Sequence, residues 1–128
     1  MKRETTPLED ELTKSADIEI ERIIDKHPKA RLVWEELKDD PFIRGLWEMS
    51  DYIAVTKMHY NAHGDTHAKV VAANALKILD ILVKKSIEID TVSDGIGDIE
   101  DAYLIVLTAG LLHDVGNEIR RENHYDMS

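Results

Sequence analysis

An all-α protein is predicted, and three features of the sequence predict it. Apolar residues recur at three- and four-residue steps, proline stands directly after a capping residue at two helix starts, and Gly116-Asn117 gives the last apolar run a helix stop. Thr6-Pro7-Leu8-Glu9 has capping-box spacing and opens the first helix. Its stripe of Leu8, Leu12, Ala16, Ile20, Ile23 and Ile24 runs to about Lys26, where His27-Pro28 breaks it. His27 reads as a surface or capping residue. "ARLVWEELK" (30–38) is a short second helix. Asp40-Pro41 repeats the cap-plus-proline device and opens a third, with Phe42, Ile43, Leu46, Trp47, Met49 and Ile53 facing inward.

After "HYNAH", Gly64 interrupts the pattern, and Asp65 or Thr66 can cap a fourth helix, 67–85. Its inner face is expected to be Val70, Val71, Asn74, Ala75, Ile78 and Leu82. Residues 86–97 have turn chemistry and are read as a loop. A fifth helix is expected from about Asp98 to Val115, ending at Gly116-Asn117. The closing "NHYDMS" looks like an opening, so a C-terminal helical portion is expected to be missing from these residues.

The 128 residues suit one domain with a real core. The absence of cysteine removes disulfides, thiolate metal sites and a cysteine nucleophile. The N-terminal "MKRETTPLEDELTK" has no apolar core of a signal peptide, and no apolar run is long enough to span a bilayer. A soluble cytoplasmic protein without membrane contact is expected. Sixteen basic against 26 acidic residues give a net charge of −10, which repels phosphate backbones and disfavours extended nucleic-acid binding. A small phosphate ester held through a bound cation is still compatible with that charge.

The most apolar run, "AYLIVLTAGLLHDVGN" (102–117), ends by placing His113 beside Asp114. An ionised carboxylate there is costly unless something positive meets it. Antiparallel packing of helices four and five would bring His67, in a first turn, to His113 and Asp114, in a last turn. Imidazole nitrogen and carboxylate oxygen together suit zinc, manganese or iron. From the residues alone, a buried His–Asp hydrogen bond serves equally well. Gly110, one turn before Asp114, leaves room for a close helix approach. His59, His63 and His67 are spaced by four, but Gly64 argues against one continuous helix through them. His59 reads as an interfacial residue, and Lys69 as either a phosphate contact or a solvated lysine.

"HAKVVAANALKIL", with "LLHDVGN" following so that His113 stands 46 residues after His67, resembles the HD superfamily of metal-dependent phosphohydrolases. "HGDTH" and "RRENH" are similar to a microbial branch of that superfamily. The likeness covers about residues 60–126 and implies one helical domain, 1–128. In it, 1–59 would supply N-terminal helices and 60–128 a partial HD core, in a bundle of about five helices. It implies His67, His113 and Asp114 as ligands of a divalent ion (manganese, iron, zinc, nickel, cobalt or magnesium), with Asp114 also catalytic. His63 and His124 would serve a second metal or the substrate phosphate. A small phosphorylated substrate such as a nucleotide or cyclic nucleotide is implied. No residue fills the place of the superfamily's distant final aspartate, Asp126 being too close to the doublet, so a non-catalytic regulatory or assembly module is the alternative. An incomplete bundle would leave apolar faces uncovered, and a homo-oligomer is expected.

Overall fold

The computed structural model describes residues 5–52, 64–86, 89, 92, 95 and 97–115. These form five α-helices and, among the described residues, no strand: α1 (Pro7–Ile24), α2 (Pro28–Leu37), α3 (Pro41–Asp51), α4 (Asp65–Lys84) and α5 (Ile99–Leu112). The expected helical bundle of about five helices is what the chain adopts. None of these helices is long and apolar enough to cross a membrane.

Helix α1 starts where its capping box places it. The Thr6 hydroxyl accepts from Glu9 N at 3.1 Å, and the Glu9 carboxylate accepts from Thr6 N at 3.4 Å. Ala16, Ile20, Ile23 and Ile24 are buried as expected, whereas Leu8 and Leu12 are exposed. The reason is register. Thr13 meets Thr66 in the first turn of α4, so the residues before it run past the helix they would pack on. Asp40 caps α3 by accepting from Phe42 N and Ile43 N at 2.8 and 3.1 Å. Only the C-terminal half of α3 buries residues (Trp47, Ser50, Asp51), and Phe42, expected inside, is 72% exposed. Ile53 lies outside the described residues.

The bundle is organised around α4, which is flanked by α1 and α5, while α2 packs on α5. Its buried face is Ala68, Lys69, Ala72, Ala73, Leu76 and Leu79, not the expected stripe, of which Asn74 and Ile78 are exposed. The small side chains win because they permit close approach. A Cβ built on Gly110 of α5 would stand 2.7 Å from Ala72 Cα, so backbones nearly touch there. The room foreseen at Gly110 is filled by Ala72.

Two further expectations are corrected. Lys69 is buried, with its ammonium 3.1 Å from Asp17 Oδ1 and 5.8 Å from the Trp34 ring centroid. It ties α4 to α1 and is neither solvated nor free to hold phosphate. His27 does not cap α2 with its side chain. Its Nδ1 donates to Glu100 Oε2 at 2.5 Å, and its ring stacks on Tyr103 at 3.6 Å. The Tyr103 hydroxyl donates in turn to Asp80 at 2.8 Å. Burial and the Asp80 carboxylate push the phenol well above its ordinary range. Lys84, and then Tyr103, hold Asp80 below the usual carboxylate range.

Asp17→Ala removes the carboxylate opposite a buried ammonium. A fully buried pair broken this way costs about 3–5 kcal/mol. Because the Asp17 side chain is 34% exposed, about 2 kcal/mol is expected here, read as a lower urea midpoint. Adding Lys69→Met should recover most of it, and no recovery would show that the charge is not the cause.

Candidate metal centre

The site is built where α4 begins and α5 ends. Gly64 precedes α4, and a Cβ there would come 3.2 Å from Asp51 Cβ, so α3 closes tightly against the entry of α4. His67 occupies the first turn. Helix α5 closes at Leu112, earlier than expected, with His113–Val115 in a turn. The two residues of the doublet therefore lie just past the helix. The bond from Val115 N to Leu112 O, at 3.2 Å, tightens the chain there.

A helix end leaves carbonyls without partners, and here side chains supply them. His113 Nδ1 lies 2.8 Å from Gly110 O. Trp47 Nε1 donates to Leu111 O at 2.9 Å, and Ser50 Oγ to Asp114 O at 3.3 Å, both buried. A carbonyl can only accept, so Nδ1 of His113 donates to Gly110 O and Nε2 is the ring nitrogen turned toward Asp114.

Both histidines turn that edge to one oxygen. Asp114 Oδ2 lies 3.0 Å from His67 Nε2 and 3.1 Å from His113 Nε2. The two rings have centroids 5.2 Å apart and are tilted by 54°. One ligand atom from each residue lies within 4.8 Å of the other two, so the group could hold a metal ion. The donor chemistry fits. Two imidazoles and a carboxylate suit a divalent transition ion, and ligands at about 2.1 Å from it stand roughly 3.0–3.4 Å from one another. An ion held between His113 Nε2 and Asp114 Oδ2, which lie 3.1 Å apart, would take a lone pair from each. The His67 and His113 side chains are about one-third exposed and Asp114 is buried, so the group is partly open to solvent.

The three residues expected to converge thus do so, although their residue types and spacing alone could not say whether an ion joins them. His59, His63 and His124 lie outside the described residues, as does Asp126. Trp47 and Ser50 were not foreseen as part of the site. Their polar groups matter only once α3 lies against the end of α5, and nothing in "LWEMSD" signals that.

No protein-family model matches the chain, and no solved structure matches it. It is 38% identical over 109 residues to an uncharacterised protein of the archaeon Methanocaldococcus jannaschii. The match covers 85% of this chain and 42% of that protein, so the chain spans less than half the length of the relative.

Proposed function

We propose that the protein is a cytoplasmic metal-dependent phosphohydrolase of the HD type, acting on a small phosphate ester such as a nucleotide or cyclic nucleotide. The observation that carries this is the convergence of His67 and His113 on one Asp114 oxygen at 3.0 and 3.1 Å. The resemblance of the segments around His67 and His113-Asp114 to HD motifs adds to it. Three protein ligands with an open side is the arrangement catalytic metal sites use. His67, His113 and Asp114 would hold the ion, which would supply a water acidified toward a pKa of about 7 and Lewis acidity toward a phosphoryl oxygen. The protein's own groups prepare for this. Gly110 O orients the His113 ring, and both imidazoles are partly exposed. His63 and His124 are candidates for a second metal or for phosphate contact.

The alternative is a non-catalytic module on the same scaffold. Turnover separates the two. A chain extended to include a downstream aspartate should hydrolyse a phosphomonoester or phosphodiester with added manganese, and the 128 residues alone much more slowly. Asp114→Ala should abolish turnover with helical content unchanged. A metal-loaded, extended chain without turnover would establish the non-catalytic reading. We further propose a homo-oligomer, supported by exposed Leu32, Ile78, Ile81 and Ile105. A monodisperse monomer in sedimentation would count against it.

A further inference from the structure

We infer that α3 is a positioning clamp for the metal centre, with Trp47 and Ser50 as its positioning residues. This rests on the metal reading of the site and goes beyond the ligands themselves. The ligands come from two chain segments that share no hydrogen-bonded backbone. His67 belongs to the start of α4, and His113 and Asp114 to the turn after α5. The packing of α5 on α4 at Gly110 and Ala72 brings the segments together, and α3 touches both ends of the pair, where it can fix their fine geometry.

On the α5 side, the Trp47 indole binds Leu111 O and the Ser50 hydroxyl binds Asp114 O, the carbonyl of a ligand residue itself. On the α4 side, Asp51 fills the space beside Gly64, three residues before His67. Trp47, Ser50 and Asp51 are 3%, 5% and 8% exposed. A buried serine and a buried acid on a helix that buries little else need a reason. Fixing the turn that carries two ligands provides one. Groups that orient ligands without touching the ion commonly change metal affinity about 10–100-fold when removed.

The fold supplies its own control. Trp34 is as deeply buried as Trp47, and its Nε1 donates to Glu21 Oε1 at 3.2 Å, in the contact of α2 with α1. Trp34→Phe and Trp47→Phe remove the same donor and the same volume, and only the second touches the carbonyls beside the ligands. Both variants of the full 128-residue chain would be titrated with Co2+ at low temperature, following the visible absorption band that reports coordination geometry. Trp47→Phe should weaken Co2+ binding about tenfold or more and shift the band, while Trp34→Phe leaves both unchanged. Ser50→Ala, a change small enough to fold if Trp47→Phe does not, should act in the same direction, and Ser50→Thr should restore binding.

Equal effects of the two tryptophan variants, or none with Trp47→Phe and Ser50→Ala, overturn the clamp while leaving the metal centre standing. If the unmodified chain binds no Co2+, Zn2+ or Mn2+, the metal reading and the clamp both fall.

Discussion

His113→Ala should weaken divalent-metal binding at the proposed centre by about 100-fold or more, since losing a direct ligand exceeds the 10–100-fold seen for outer partners. The fold should survive. The His113 side chain is about one-third exposed and lies beyond the end of α5. Its hydrogen bond to Gly110 O is worth about 1 kcal/mol. Metal content after purification, with circular dichroism as the check on folding, gives the answer. Unchanged metal content would remove His113 from the site. The pairing of Asp114 with His67 and His113 would then be a hydrogen-bonded core feature and nothing more.

Gly110→Leu should unfold the protein or nearly so. A Cβ at this position falls 2.7 Å from Ala72 Cα, 3.0 Å from Ala72 Cβ and 3.2 Å from Ala72 N. All three belong to the α4 main chain or sit directly on it, so no side-chain rotation relieves the clash. The two helices must separate along their contact, uncovering Leu76, Leu107 and Leu111, all fully buried. Even Gly110→Ala, which gains about 1 kcal/mol of helix propensity, should lose more than that, because overpacking a close contact costs about 1–3 kcal/mol. Denaturant midpoints would measure both. Ala72→Gly should rescue Gly110→Ala only in part, since the clash with the Ala72 Cα remains. A stable Gly110→Leu chain would mean that the helices do not approach this closely.

The parts of the fold legible in the sequence are those that local chemistry decides. Thr6-Pro7 and Asp40-Pro41 start helices because their side chains and fixed φ act within one turn. Asp98 does the same for α5, accepting from Asp101 N at 2.9 Å. The ligand trio was legible because a charged doublet at the end of an apolar run demands a partner. Helix α4 misled because Val71, Ile78 and Leu82 are more apolar than Ala68, Ala72 and Ala73. Apolarity measures what a residue gains by burial, and here the approach distance of α5 decided which face was buried. The same limit hid Lys69 and His27. Each is polar and reads as surface until Asp17, or Glu100 and Tyr103, arrives from another helix.

The placement of the two indoles has an optical consequence. The chain contains two tryptophans, and both are buried, one beneath Lys69 and one bonded to Leu111 O. The Trp34→Phe chain therefore keeps a single indole, and that indole sits on the junction of α3 with the end of α5. Its emission should stay at short wavelength while the indole is dry and hydrogen-bonded, and move to the red when water reaches Leu111 O. Opening of this one junction could then be timed separately from unfolding of the bundle, with no label attached.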